Sequence, residues 1–135
     1  MAVDGLVSFR SNFGPEQTVE RLRAELQARG LTLFAAIDHA AGAADVGLAL
    51  RPTAVLIFGH AKGGTPLMQA AQSLGIDLPL KALVWQDAAG DTWLSYNDPA
   101  WLAERHGVAE QTRTVSANLT AALGAMAKAV TSATA

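Results

Sequence analysis

The chain has 135 residues, of which 50% are hydrophobic and 16% charged, with a formal net charge of −2 and no cysteine. This length suits one domain with a single core, and the apolar fraction is far from that of a disordered chain. The balance of charge argues against nucleic acid or an anionic membrane as a partner. The lack of cysteine excludes disulfides, thiolate nucleophiles and cysteine-ligated metals. We therefore expect one domain over residues 1–135.

The N-terminal residues do not predict a targeting segment. A secretory signal would show basic residues followed by an apolar stretch, and the Met-Ala-Val-Asp-Gly start does not. The longest apolar runs are well short of the roughly 20 residues that a membrane span requires. The sequence therefore predicts a cytoplasmic protein.

Hydrophobic periodicity gives the elements of the first half of the chain. Alternating residues predict a strand over Leu6–Ser11. A helix is expected to begin at Pro15 and to end at Gly30, because proline favours the first turn and glycine the end. Leu31–Ile37 reads as a second strand. Ala40–Leu50 fits either a strand or a short helix, and we favour the helix.

The second half begins with Ala54–Gly59, an apolar strand without alternation, which we expect to be covered on both faces. Thr65 is a good N-cap and Pro66 a good first helical residue, so a helix is predicted from there to Gly75. Four further elements follow in order: a hairpin of Leu80–Gln86 and Thr92–Tyr96, a helix between Asp98 and Gly107, and a last helix over about Thr114–Thr131.

The resulting order is β-α-β-(α)-β-α-β-β-α-α. The hairpin late in the chain breaks a strict alternation of strands and helices, so α+β is the better fold class.

The segment from Gly59 to Pro66 is the strongest candidate for a functional site. It carries three glycines, one histidine and one lysine where a strand is predicted to lead into a helix. It is not a P-loop, because Thr65 occupies the position of the lysine and Lys62 lies inside the loop. A looser anion site remains, with Lys62 supplying charge and the Gly63–Thr65 backbone supplying N–H donors. The alternative is a turn whose glycines serve backbone geometry alone.

Other residues are candidates because of their charge or their place at strand ends. Between Val46 and Gln86 there are three basic residues and Asp77 as the one acidic residue, a local excess that suits a carboxylate or phosphate. His39 and His60 would both lie near strand ends if the second and third strands are neighbours, yet their spacing matches no metal signature. We predict no cofactor and no metal. The candidate ligand-binding set is His39, Arg51, His60, Lys62, Gly63, Gly64, Thr65 and Lys81.

Serine chemistry finds little support in the sequence, because no serine lies in a Gly-x-Ser-x-Gly motif. His106 falls in the last turn of a predicted helix, where a favourable interaction with the helix dipole accounts for it. Four aromatic residues surround the predicted hairpin, and cross-strand pairing explains them; a pocket wall or a subunit interface is the alternative. They are Trp85, Trp93, Tyr96 and Trp101.

Several blocks of sequence resemble the domain of unknown function 302 family, over about residues 5–107. They include Arg51-Pro52-Thr53, Leu56-Ile57-Phe58-Gly59, Gly64-Thr65-Pro66-Leu67-Met68, Asp77-Leu78-Pro79-Leu80-Lys81 and the stretch from Trp93 to Asp98. The resemblance implies a curved, mostly antiparallel sheet backed by helices, in a TATA-binding-protein-like arrangement and as a homodimer. It implies neither DNA binding nor an assigned activity, so no catalytic role is transferred.

Three functions remain open at this point. The preferred one is a homodimeric binder of a small anionic molecule at the Gly59–Pro66 turn. The second is an enzyme that uses the same pocket, with Lys62 or His39 in acid–base chemistry and Asp77 as partner. The third is a structural module that pairs with another protein through the hairpin or the last helix.

Overall fold

The computed structural model describes residues 2–133 and contains five strands and five α-helices within that range. The strands are β1 Leu6–Arg10, β2 Thr32–Asp38, β3 Thr53–Gly59, β4 Leu80–Gln86 and β5 Thr92–Asn97. The helices are α1 Pro15–Ala28, α2 His39–Asp45, α3 Ala61–Ala70, α4 Pro99–Arg105 and α5 Arg113–Thr131, with a 3₁₀ helix at Gln72–Ile76.

All strand pairs are antiparallel, and the strand order is β1-β5-β4-β3-β2. The α+β class, the order of elements and the sheet backed by helices are therefore confirmed. Sequence reasoning also gave the hairpin correctly: β4 and β5 pair directly, and Gly90 takes a φ of +89° in the turn. The uncertain stretch after β2 is the helix α2, whose N-cap Asp38 accepts a hydrogen bond from the Ala41 amide at 2.9 Å.

One face of the sheet carries the main core. Side chains that alternate along β3, β4 and β5 are almost fully buried on this face, where they pack against α1 and α5. β3 was expected to be covered on both faces, but its side chains on the other face are only half-buried in this chain. The buried set is Leu56, Phe58, Ala82, Val84, Leu94 and Tyr96 from the strands, with Leu22, Leu26, Leu123 and Met126 from the helices.

The opposite face of the sheet is mixed: apolar side chains of β2, β3 and β4 lie on it together with Arg10, Lys81 and Ser95. Its side chains belong to neither of the two core clusters. Paired residues run across it in rows, including Ile37, Val55 and Leu83 on three adjacent strands. Trp85 stacks on Trp93 with ring centroids 6.4 Å apart, as cross-strand pairing predicted. The apolar side chains of these rows are half-buried, apart from the exposed Ile37. We call this surface the outer face.

A second, smaller cluster closes the end of the molecule beside α3. Leu67 and Leu74 pack there with Leu102, Ala103 and Val108, which joins α3 and the 3₁₀ helix to α4 and the region after it. The helix predicted from Thr65 to Gly75 is therefore two elements, since α3 ends at Ala70 and the 3₁₀ helix follows.

Candidate functional site

The first turn of α3 begins earlier than the sequence predicts. Its N-cap is His60, whose Nδ1 accepts a hydrogen bond from the Lys62 amide at 3.1 Å. The amides of Gly63 and Gly64 donate to the His60 carbonyl at 2.9 and 3.1 Å. Thr65 is therefore not an N-cap, and Pro66 lies inside the helix. The predicted Gly63 and Gly64 donors are used by the helix itself, which argues against a backbone cradle for an anion.

A cavity of about 310 Å³ lies beside this turn. Four structural units surround it: α3, the segment leading into β4, the ends of β2 and β3, and α5. Apolar side chains make up most of the wall, and three glycines bring backbone close to it. The apolar residues are Leu31, Phe34, Ala61, Met68, Leu78, Pro79, Leu80 and Leu119, and the glycines are Gly59, Gly63 and Gly64.

The glycines matter because they leave room in the cavity. A Cβ added at Gly64 would lie 3.7 Å from Leu78 Cδ1, and one added at Gly63 would lie 3.6 Å from Leu119 Cδ2. Both are ordinary van der Waals distances, so a methyl group there would occupy space without forcing a neighbour to move. Phe34 is 57% exposed although it lines the cavity. An exposed ring at the mouth of an apolar cavity is a surface that a ligand can cover.

Polar side chains at the cavity are few. His60 and Thr65 line it. Because Nδ1 of His60 accepts a hydrogen bond, the neutral imidazole carries its proton on Nε2, which makes that nitrogen a donor. Lys62 is exposed on the same turn, and Lys81 Nζ approaches the Asp77 carbonyl at 3.5 Å. Of the eight predicted residues, six therefore lie at this end of the sheet: His60, Lys62, Gly63, Gly64, Thr65 and Lys81.

His39 and Arg51 lie at the other end of the sheet. β2 runs antiparallel to β3, so Thr32 pairs with Gly59 while Asp38 pairs with Ala54. The seven residues of β3 separate the two ends by about 20 Å. His39 and His60 therefore form no pair, and Arg51 donates instead to the Gln86 carbonyl at 3.2 Å. The expectation of one shared site was wrong for these two residues, because it assumed that neighbouring strands end on the same side.

A second cleft, of about 470 Å³, lies near that other end, between α1 and the β2–β3 edge. It is larger, but its charged lining is mainly acidic: Glu16, Glu20 and Asp38 against Arg23. This composition does not suit an anion. The cavity beside α3 is the better ligand site because its apolar wall gives an enclosed ligand more favourable burial.

Asp77 does not serve Lys62, the partner that an acid–base enzyme at this site would require. Arg105 Nη1 contacts both Asp77 carboxylate oxygens at 2.7 Å, and His106 Nε2 lies 2.5 Å from Oδ2. Burial alone would raise the pKa of Asp77, but the hydrogen bond to His106 and the charge of Arg105 outweigh it, so the pKa lies below 3.8. Asp77 is an ionised anchor between the 3₁₀ helix and the end of α4.

His106 also contacts Ser73, whose Oγ lies 2.7 Å from Nδ1. Sequence reasoning missed this cluster, because it explained His106 by the helix dipole and tested the serines only against one motif. The available signal was the spacing of Ser73 and Asp77, which puts both on one short turn. Within the described residues, no group of three or more His, Cys, Asp or Glu side chains could hold a metal ion.

The fold and this end of the sheet define a small α+β domain with an apolar cavity beneath a glycine-rich helix start. Residues 7–126 match the family model described as "Domain of unknown function DUF302". The chain belongs to this family. A solved structure, "Crystal structure of uncharacterized conserved protein DUF302 from Bacillus stearothermophilus", superposes with a TM-score of 0.84 at 19% identity, covering 95% of this chain and 99% of that one.

Curated relatives carry a different name. The chain is 46% identical over 104 residues to "Fluoride-specific ion channel FluC 1" of Brucella suis biovar 1 (strain 1330), a match that covers 77% of this chain and 41% of that protein. A protein of the same name in Brucella abortus biovar 1 (strain 9-941) matches equally well over 38% of its length. The chain thus spans about two fifths of these relatives. Among residues 2–133, no helix combines the length and the apolar character needed to cross a membrane.

Proposed function

We propose that this domain is a homodimeric binder of a small molecule, with the ligand held in the cavity beside the first turn of α3. The observation that carries the proposal is the cavity itself, about 310 Å³ lined mainly by apolar side chains and by Gly59, Gly63 and Gly64. Small-molecule sites commonly have this character: a concave apolar wall with a few oriented polar groups.

The ligand chemistry follows from those polar groups. An apolar body would cover Phe34 and the leucines of the wall, where burial of apolar surface is favourable. His60 Nε2–H supplies a donor, so the ligand would present one acceptor to it, such as a carboxylate or a carbonyl. The exposed Lys62 on the same turn favours the carboxylate. The ligand class predicted from the sequence, a small anion, is therefore narrowed to a largely apolar molecule with one anionic or acceptor group.

Ligand-observed NMR with matched small molecules tests this proposal. The probes are cyclohexanecarboxylate, its neutral amide cyclohexanecarboxamide, and inorganic phosphate as an anion without an apolar body. We expect both cyclohexane compounds to bind, the carboxylate more tightly, and phosphate not to compete. Binding of phosphate alone would overturn the apolar site in favour of a simple anion site. A ligand role for the cavity would be contradicted if none of the probes bound and if, in a wider screen, compounds bound to Gly64→Ala as they bind to the wild type.

The outer face supports the homodimer. Five strands spaced by about 4.8 Å and about six residues of about 3.3 Å each give a face of roughly 24 Å by 20 Å. Projecting side chains raise its accessible area above this flat value of about 480 Å², towards the roughly 800 Å² that each partner contributes to a standard interface. The apolar row Ile37–Val55–Leu83 across β2, β3 and β4 suits face-to-face packing of two sheets.

Sedimentation velocity of Leu83→Glu tests the dimer. Leu83 lies on the outer face in β4, the third of the five strands across the sheet, so a carboxylate there would be buried without a partner in a dimer. We expect a dimeric wild type and a monomeric variant. Val46→Glu is the matched control, because Val46 is 72% exposed and lies outside the sheet, and it should remain dimeric. A monomeric wild type, or equal behaviour of the two variants, would contradict this interface.

A second candidate function is favoured by the 46% identity to the proteins named fluoride-specific ion channels: this domain would bind its ligand in association with such a channel. The test removes the matched 104-residue segment from the Brucella suis protein and measures fluoride efflux from vesicles, with and without this chain added. If efflux depends on the segment and this chain restores it, the association is supported. Unchanged efflux after the deletion would contradict it.

A further inference from the structure

Ser73, His106 and Asp77 form a continuous relay of side chains. Ser73 Oγ lies 2.7 Å from His106 Nδ1, and His106 Nε2 lies 2.5 Å from Asp77 Oδ2. With Asp77 ionised, it accepts from Nε2–H, which leaves Nδ1 as the acceptor for the serine hydroxyl proton. This is the polarity that activates a serine nucleophile: a base on the hydroxyl, and a carboxylate that orients the base.

Burial and exposure are distributed along the relay as that chemistry requires. The His106 and Asp77 side chains are 9% and 14% exposed, so the base and its carboxylate are shielded, whereas Ser73 is exposed. Ser73 and Asp77 belong to the turn around the 3₁₀ helix, and His106 follows α4. Hydrophobic packing of Leu74 against Leu102 and Ala103 fixes these two segments together. The geometry is therefore held by the fold and not by the polar contacts alone.

We propose that Ser73 is a nucleophile towards small activated esters, with His106 as its general base and Asp77 as a positioning residue. The exposure of Ser73 favours small, accessible substrates. In the first step Ser73 Oγ bonds to the acyl carbon, its proton passes to Nδ1, and the bond to the leaving oxygen breaks. The leaving alcohol takes that proton, or solvent does when a phenolate leaves. In the second step the oxygen of water bonds to the acyl carbon and its proton passes to Nδ1. The bond between the acyl carbon and Ser73 Oγ then breaks, Oγ takes that proton back, and the carboxylic acid leaves.

Arg105 gives this proposal a distinctive consequence. Its guanidinium contacts both Asp77 oxygens and so offsets the negative charge that would favour transfer of the Ser73 proton to Nδ1 in the transition state. Replacing Arg105 should therefore weaken the attachment of α4 and yet speed the reaction. A purely structural cluster would show the loss of stability without any gain in rate.

The experiment incubates the full chain with 4-nitrophenyl acetate, follows nitrophenolate release, and locates the acetyl group by peptide mass spectrometry after an acid quench. We expect acetylation of Ser73, and a rate that falls about 100-fold or to the buffer background in Ser73→Ala and His106→Asn. Arg105→Gln should raise the rate about threefold. Ser8→Ala is the matched control, since Ser8 is also exposed and its hydroxyl contacts Ser95 Oγ at 2.7 Å, and its rate should match the wild type.

Thermal unfolding of each variant separates loss of chemistry from loss of fold. Ser73→Ala changes an exposed side chain and should keep the wild-type melting temperature, so its rate decides the question even if His106→Asn unfolds. If Ser73→Ala releases nitrophenolate as fast as the wild type, or the acetyl group is found only on other residues, the proposal is overturned. The relay does not involve the cavity ligand, so failure here leaves the proposed function intact.

Discussion

The two ends of β3 carry different kinds of surface, although their residue types are similar. At the Gly59 end, helix α3 starts on His60 and an apolar cavity lies under its glycines. At the Thr53 end, α2 starts on Asp38, and the nearby cleft is rimmed by carboxylates. Each end has a histidine and a cation, so residue types do not distinguish the two. The enclosed apolar wall at the Gly59 end is what makes it a ligand site.

The ends also differ in how firmly their helices are attached. α3 and the 3₁₀ helix belong to a buried cluster with α4, and the Asp77 contacts to Arg105 and His106 reinforce it. α2 has no buried residue and ends in an exposed stretch that includes Val46 and Leu48. A ligand site benefits from a wall that is already held in place, because less ordering is then required on binding.

The largest expected contrast in stability is between Asp77→Ala and Asp38→Ala. We expect the first to cost about 2 kcal/mol in free energy of unfolding, since it removes the charge-assisted bonds to His106 and to the half-exposed Arg105. The second removes one N-cap bond and should cost about 1 kcal/mol. Urea denaturation measures both.

The pH dependence sharpens this contrast. The pKa of Asp77 is lowered in the folded state, so its contribution is fully present above 3.8 and is lost as pH falls through the folded-state value. The stability difference between the wild type and Asp77→Ala should therefore narrow below that pH. A difference that stays constant across the acid range would contradict an ionised, paired Asp77.

Much of the fold could be predicted from the sequence because local signals agreed. Pro15, Asp98 and the Gly90 turn each mark a boundary with a residue type that has one strong preference, and the elements lie where they indicate. The prediction that α3 begins at Thr65 was wrong, because tertiary context overrides the strong local signal of Thr65-Pro66. There, His60 provides the cap, and Leu67 is buried in the second cluster.

The candidate site was only partly predictable. The Gly59–Pro66 segment stood out because its glycines and charges are adjacent in sequence, and the cavity does lie beside it. Whether His39 and Arg51 lie near this segment depends on the directions of β2 and β3, and residue types do not encode strand direction. The wall of the cavity comes from Leu31, Leu78 and Leu119, far apart in the chain, and only the fold brings them together.

The second contrast uses alanine in place of glycine at the two ends. Gly64→Ala places a methyl group in the cavity wall, 3.7 Å from Leu78 Cδ1, so ligand affinity should fall about tenfold, which corresponds to about 1.4 kcal/mol. Stability should hold or rise by up to about 1 kcal/mol, because alanine favours a helix. Gly42→Ala in α2 adds a methyl group with nothing within 4 Å and should change stability alone. Titration calorimetry with cyclohexanecarboxylate distinguishes the two, and equal affinities would contradict the cavity as the site.

The third contrast is between the histidines. His60→Ala removes the cap of the Lys62 amide and should cost about 1 kcal/mol in stability, together with a loss of affinity for the ligand acceptor. His39→Ala alters an exposed first residue of α2 and should stay within about 0.5 kcal/mol of the wild type, with affinity unchanged. The same titration and denaturation measure both variants. An affinity loss in His39→Ala equal to that in His60→Ala would mean that the two ends of the sheet act on one ligand.

The smallest contrast is between the cations, Lys62→Ala and Arg51→Ala. Both side chains are exposed, so neither change should alter stability by more than about 0.5 kcal/mol. Lys62 lies on the cavity turn, and its loss should weaken binding of a carboxylate about threefold, since charges near the surface interact modestly through water. The neutral amide should bind both variants as it binds the wild type. Arg51 contacts the Gln86 carbonyl at the far end, so Arg51→Ala should bind normally. If losing Lys62 weakened the amide as much as the carboxylate, its role would be contact rather than charge, and the preference for an anionic ligand would have to be abandoned.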